Sequence, residues 1–363
     1  MKPSKYLQLI FPIFNTKRTK EIFVFNPTVL PERTEAVETK ISVFDYTAEA
    51  LQEKELARVE DCFGFKNNHK VTWINIDGLR KQDVEAISNH FRIHPLLVED
   101  ILSVGQRPKM DEIDGILFCL LNMLYFNEQT GAVETEQISI AQGKDFLISF
   151  QEDAKRDVFD SLRNKLRMAN SKIRMSGADY LCYALIDTIV DNYYIVLEKL
   201  GERIEFVEEE IIRIGSTKSL ARINNLRKEL IVLKRNVGPV RDLVNNFIRS
   251  ESDLLEEKTT KYFKDVYDHI VQANDLVENY REMMMSLQDL YLNKVNLKMN
   301  EVMKVMAIVT CLMAPATVIG GIFGMNFEVI PLLHQRRGFY IAVALMLLIP
   351  LWMLRLFKKR GWF

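Results

Sequence analysis

The chain has 363 residues, 27% of them charged and 48% hydrophobic, a soluble-looking average that suits about two domains. Its 48 Lys and Arg offset 49 Asp and Glu to a net charge of −1, which argues against a bulk nucleic-acid binder. Cys62, Cys119, Cys182 and Cys311 stand far apart without a CxxC pair, which excludes a zinc ribbon, argues against a disulfide framework and points to buried thiols in a reducing compartment.

Near the start, the apolar stretch Tyr6 to Phe14 is short, contains Pro12 and lacks a small-residue cleavage site, so no secretory signal is expected. Residues 1–175 alternate β-rich runs with helical patterns. Candidate strands are EIFVF from Glu21, KISVFDY from Lys40, KVTWINI from Lys70, GILFCLLNMLYF from Gly115, QISIAQ from Gln137 and DFLISF from Asp145. Between them AEALQEKELARVEDCF, RKQDVEAISNHF and the stretch around VEDIL carry helical spacing. Gly78, Pro95, Pro108 and Gly143 punctuate the turns. The pattern predicts an α/β domain with a mixed sheet. It holds no GxxxxGK[ST] and no GxGxxG after a strand, and no Ser-His-Asp or Cys-His grouping can be argued, so neither an organic cofactor nor an enzyme is expected.

From about Asp179 the chain turns helical. One amphipathic run ends at Gly215 and another runs from Ser216 to Gly238-Pro239, predicting a helical hairpin over 176–250. Its acidic cluster Glu205, Glu208, Glu209 and Glu210 suits a solvated helix face. No Gly or Pro occurs between Pro239 and Pro315, so a helix starting between Ser252 and Thr260 can run unbroken to 323. At 1.5 Å per residue such a rod is about 100 Å long and needs to bundle with copies of itself.

Formal charge almost vanishes between Lys304 and the C-terminal tail. Val305 to Phe323 and Gly338 to Leu354 are uncharged runs, each close to the ~20 residues that cross a bilayer. Tyr340, Trp352 and Trp362 sit near the expected interfaces, and Arg355, Lys358, Lys359 and Arg360 follow the second run. Against Arg336 and Arg337 in the connecting loop, those four cations place both termini in the cytoplasm.

Steps of three or four along the long helix collect Asp289, Asn293, Asn296, Asn300, Met303, Met306, Thr310, Ala314, Thr317, Gly321 and Gly324. A coiled-coil seam needs Leu or Ile there; this stripe is polar, then apolar at the Met pair, then small and hydroxylic. It suits either tight helix packing or a wetted axis with a dewetting constriction at Met303 and Met306. Gly320 and Gly324 also fit a GxxxG packing face, and neighbouring helices make Pro315 tolerable inside the span.

Directly after the first span stands Gly324-Met325-Asn326, within FGMNFE. With NEVMKVM from Asn300, YFKDVYDHI from Tyr262, HPLLVEDIL from His94, QRPK from Gln106 and the KKRGWF ending, the chain resembles the CorA family of magnesium channels over nearly its whole length. The resemblance implies a funnel-shaped homopentamer in the inner cell membrane. Each subunit would have an α+β cytoplasmic domain (1–175), the hairpin (176–250), a stalk helix continuing as first span (251–323), an extracellular loop (324–337), a second span (338–357) and a basic tail (358–363). It implies Mg²⁺ as both cargo and regulator, with passage extending to Co²⁺ and Ni²⁺. Gly324, Met325 and Asn326 would form the selectivity filter, with Asp289, Asn296, Asn300, Met303, Met306, Thr310, Ala314 and Thr317 lining the pore. Mg²⁺ gives up its water reluctantly, so a ring of Asn326 amide oxygens would hold the hydrated ion without a deep carboxylate well, and Gly324 would let the backbone turn. A regulatory ion site between subunits would draw on Asp100 with Glu99 beside it and Asp265, with Asp187 a further candidate. The loop departs from the family pattern: Ile330-Pro331-Leu332-Leu333 lacks a second acid, leaving Glu328 with Arg336 and Arg337. Phe323 and Ala314 replace a frequent tyrosine and methionine. The alternatives are a zinc or other divalent-cation transporter of the same superfamily, or a membrane-tethered scaffold.

Overall fold

The computed structural model describes residues 35–362 except 37, 67–68, 154–155, 327–329, 333–334 and 336. The expected strand at Glu21, the apolar stretch at Tyr6, and Glu328 and Arg336 of the loop lie outside the described residues. The chain divides into two compact units, residues 1–210 with 216–287, and residues 211–215 with 288–363.

The first unit is built on a seven-stranded sheet of order β2-β1-β3-β7-β6-β5-β4. The strands are β1 (Lys40–Tyr46), β2 (Leu51–Leu56), β3 (Val71–Asp77), β4 (Lys109–Ile113), β5 (Ile116–Asn127), β6 (Ala132–Gln142) and β7 (Phe146–Gln151). Only the β3–β7 pairing is parallel, with Trp73 opposite Leu147, so the sheet is mixed. The central strands read as continuous apolar runs because both faces are covered. One face buries Val43, Ile76, Phe118 and Ile148 against α1 (Lys81–Phe91) and α2 (Pro95–Leu102). His94 caps α2 by accepting the Leu96 N–H at its Nδ1 (3.2 Å), and Pro95 fills the first helical position.

AEALQEKELARVEDCF forms no α-helix. Its first part is edge strand β2 and its second a 3₁₀ helix over Val59–Phe65. β2 pairs with β1, Lys54 opposite Val43, and its Gln52, Glu53, Lys54 and Glu55 are exposed. Good helix formers are recruited into a strand here because ladder pairing with β1 outweighs propensities worth only a few tenths of a kcal/mol each.

After α3 (Asp160–Arg167) come α4 (Ala178–Arg213) and α5 (Thr217–Arg249). The second hairpin helix does not stop at Gly238-Pro239. α5 continues through Pro239 because its buried row of Leu233, Val237, Val240, Val244 and Phe247 extends on both sides of it. Burial of that row offsets the roughly 3 kcal/mol that a helix-interior proline costs. α6 then runs Glu257–Phe323, 67 residues, starting inside the expected window.

The second unit holds the C-terminal part of α6, α7 (Gly338–Lys359) and the α4–α5 turn. Lys294 Nζ donates to the Ile212 carbonyl at 2.9 Å, placing a cation where helix α4 presents unpaired carbonyls. α6 and α7 are both long and apolar enough to cross a membrane, and only 6% of each apolar window is buried within the protein. Gly338 must be glycine: a Cβ there would fall 2.0 Å from the Leu332 carbonyl oxygen as the loop turns into α7.

Candidate functional site

Two sets of residues carry chemistry, one in each unit. In the second, Asp289, Asn293, Asn296, Asn300, Met303 and Met306 lie along one exposed face of α6, continued by Thr310, Ala314 and Thr317. Met303 and Met306 are 53% and 66% exposed, while the buried residues of this stretch, Tyr291 and Ile308, fall on the other side of the helix. Thr310 and Thr317 donate their hydroxyls to the carbonyls of Met306 (2.9 Å) and Met313 (3.0 Å). Such back-bonding recruits the side chains to the helix around Pro315 and leaves the oxygen lone pairs facing outward. Gly320 packs toward α7, where an added Cβ would sit 3.7 Å from Met346 Cε, whereas Gly321 has nothing within 4 Å.

The helix ends at Phe323. Gly324 N–H still bonds the Gly320 carbonyl (3.0 Å), Met325 and Asn326 follow, and all three are exposed. Gly324 lies in the turn that ends the helix, with its backbone outside the left-handed region. A Cβ would approach the Gly320 oxygen to 3.1 Å, so close approach rather than φ selects it.

The first unit brings together Asp187 and Asp191 of α4 with His269 of α6, their ligand atoms within 4.8 Å of one another. Only Asp187 of this trio was expected. Tyr183 OH donates to Asp187 Oδ2 at 3.3 Å. Burial, then the Asp191 charge, pushes the Asp187 carboxyl above its usual range. His269 Nδ1 is buried without a hydrogen-bond partner, and the Tyr194 hydroxyl fixes the backbone beside it through the His269 carbonyl (2.7 Å). A cavity of about 510 Å³ opens over Asp187 and Asp191, lined also by Lys165, Lys172, Tyr180 and Thr188. Two carboxylates and an imidazole are a donor set for a divalent ion.

Asp265 stands one turn before His269 on α6, exposed and outside the trio, yet its charge raises the Tyr183 and Asp187 proton affinities. Asp100 and Glu99, on α2, do not join it within the chain. Asp100 accepts from Lys109 Nζ at 2.6 Å, and Glu99 is exposed. The spacing Asp187-x-x-x-Asp191 and Asp265-x-x-x-His269 marks one face of each helix, a signal from which Asp191 and His269 could have been found.

A mixed-sheet domain is followed by a 67-residue helix, and that helix and α7 are each long and apolar enough to cross a membrane. The chain belongs to the CorA-like Mg²⁺ transporter protein family, whose model matches residues 68–359. It is 38% identical over 324 residues to the cobalt/magnesium transport protein CorA of Thermotoga maritima, covering 89% of this chain and 92% of that one. It is 31% identical over 291 residues to the putative metal ion transporter YfjQ of Bacillus subtilis, covering 80% and 89%. In fold it matches the CorA magnesium transporter of Methanocaldococcus jannaschii with a TM-score of 0.74 at 23% identity, over 89% of this chain and 98% of that one. The full-length CmaX protein matches with a TM-score of 0.65 at 18% identity, over 90% of this chain.

Proposed function

We propose that the protein is a magnesium channel of the cell membrane, a homopentamer with both termini in the cytoplasm, that admits Mg²⁺ and also Co²⁺ and Ni²⁺. The observation that carries this reading is the exposed stripe on α6 that runs from Asp289 to the Gly324-Met325-Asn326 end. Five copies of α6 around an axis would set Asn326 in a neutral ring at the outer mouth. Its amide oxygens accept hydrogen bonds from the waters of a hydrated ion and release it readily. Thr317 and Thr310 add outward-facing lone pairs, Ala314 leaves room between them, and Met303 with Met306 forms a dry constriction. Asn300, Asn296 and Asp289 would receive the ion on the cytoplasmic side.

Regulation by internal Mg²⁺ is assigned to Glu99 and Asp100 of one subunit with Asp265 of another, and to Asp187 with Asp191 and His269 inside each subunit. For Asp100 to serve, Lys109 must yield to the ion. Bound Mg²⁺ relieves carboxylate repulsion and favours the closed state; depletion loosens the assembly and lets the Met constriction hydrate. Imidazole at His269 favours Co²⁺ and Ni²⁺ over Mg²⁺ at the intrachain trio.

Mg²⁺ entry into proteoliposomes containing a Mg²⁺-sensitive dye, compared with Asn326→Ala, tests the reading. Entry that disappears in an assembled variant supports the mouth ring. Zn²⁺ movement without Mg²⁺ movement supports a zinc transporter instead, and no ion movement at all supports a scaffold.

A further inference from the structure

The outward side of α7 is unused by conduction. α7 meets α6 where Met346 lies beside Gly320, and Ala342, one turn earlier on the same side of α7, is 7% exposed. Carrying that side along at helical spacing brings in Met353 and Phe357, both half-buried. The opposite side presents Leu348, Leu351 and Trp352, at 61%, 54% and 62% exposure. Directly beyond them, on the same side, stand Arg355, Lys358 and Lys359, all exposed.

Among the described residues, the tail does not cover these cations. Trp362 N–H donates to the Phe357 carbonyl at 3.0 Å, and its ring stacks on Phe357 at 5.2 Å between centroids. Lys304 Nζ reaches the Gly361 carbonyl at 3.4 Å, so the tail folds to the α6 side. Nor can either span supply a counter-ion: no Asp or Glu occurs between Glu301 and Glu328 or after Glu328.

A stripe that passes from leucines through a tryptophan to three cations follows one leaflet from acyl chains to phosphates. The cations fall within about 6 Å of helix rise, close enough to converge on a single headgroup. We propose that Arg355, Lys358 and Lys359 form a site for an anionic phospholipid headgroup in the cytoplasmic leaflet, with Trp352 at the chain–headgroup boundary. This rests on the proposed placement of α6 around the axis, which puts the far side of α7 against lipid. A zwitterionic headgroup carries its own ammonium and gains little from three cations, whereas a net anion gains roughly fivefold in occupancy per basic residue.

The test uses the full chain carrying Trp362→Phe, which keeps an aromatic ring on Phe357, in phosphatidylcholine vesicles. Trp73 is fully buried in the sheet, so quenching by brominated lipid reports Trp352. Brominated phosphatidylglycerol is expected to quench at a mole fraction up to about a hundredfold lower than brominated phosphatidylcholine. That preference should fall to near unity in Arg355→Gln/Lys358→Gln/Lys359→Gln and shrink with added salt. Equal quenching by the two lipids, a preference that survives the triple substitution, or its abolition by inorganic phosphate overturns the site. Mg²⁺ entry is measured in the same vesicles. Lost preference with intact entry condemns this inference alone, whereas no quenching by either lipid together with no entry condemns the membrane-channel reading beneath it.

Discussion

Asp191→Asn should stabilise the ion-free protein while blunting its response to divalent ions. The Asp187 and Asp191 carboxylates lie within 4.8 Å of each other and of His269. At an effective dielectric of 20 such a pair repels by roughly 3 kcal/mol, and the exposure of Asp191 cuts the usable part to about 1 kcal/mol. The sign follows from Asp187, whose folded-state proton affinity is raised, first by burial and then by Asp191. A raised carboxyl contributes stability that is complete below its unfolded pKa of about 4 and is lost as pH rises through the folded value. Near neutral pH in chelator the wild type has therefore lost that contribution, and the Asn variant has lost less of it. Thermal unfolding of the full chain in detergent would show this as a Tm about 2–4 °C higher in chelator. The rise on adding Mg²⁺ or Co²⁺ should shrink. A lower Tm for the variant in chelator, or an unchanged metal-induced rise, would refute the reasoning.

Glu136 gives a second pH signature. Burial pushes its carboxyl up to about 7, although Tyr125 OH (2.9 Å) and the N–H groups of Glu152 (3.0 Å) and Asp153 (2.9 Å) donate to it. Its contribution is present below about pH 4.5 and lost as pH rises through 7, so Glu136→Gln should gain about 2 kcal/mol on wild type between pH 5 and pH 8 in denaturant titrations. An offset that is the same at both pH values would count against it. In the proposed pore, Met303→Ser/Met306→Ser should wet the constriction and raise Mg²⁺ entry several-fold even with Mg²⁺ inside the vesicles; unchanged entry removes these residues from the gate. Asp265→Ala should weaken inhibition by internal Mg²⁺, and a dose–response curve matching wild type removes it from regulation.

The parts of the fold that were legible in the sequence are those where local pattern and tertiary demand agree. The apolar runs of β1, β3, β5, β6 and β7 declared themselves, as did α1, the start of α6 and the two membrane-length helices. Both sheet edges failed to. β2 (LQEKEL) and β4 (KMDEI) are short and charged, as edges that avoid further pairing tend to be, and their residues carry no strand signature. Gly238-Pro239 misled in the other direction, because its apparent stop signal is overruled by burial of α5 on both sides. At the intrachain trio, Asp187 and Asp191 share a helix face in plain sequence. Only the packing of α4 on α6, some 80 residues apart, brings His269 to them.

The threonines of α6 carry a further consequence. Because Thr310 and Thr317 spend their hydroxyl hydrogens on the carbonyls of Met306 and Met313, each oxygen can only accept. A cation's water shell turns its hydrogens outward and finds acceptors at both levels. A chloride ion needs donors, and these side chains have none left to offer. At these two rings the proposed passage would therefore distinguish the sign of an ion with no fixed charge in its wall, by the direction in which its hydroxyls are committed.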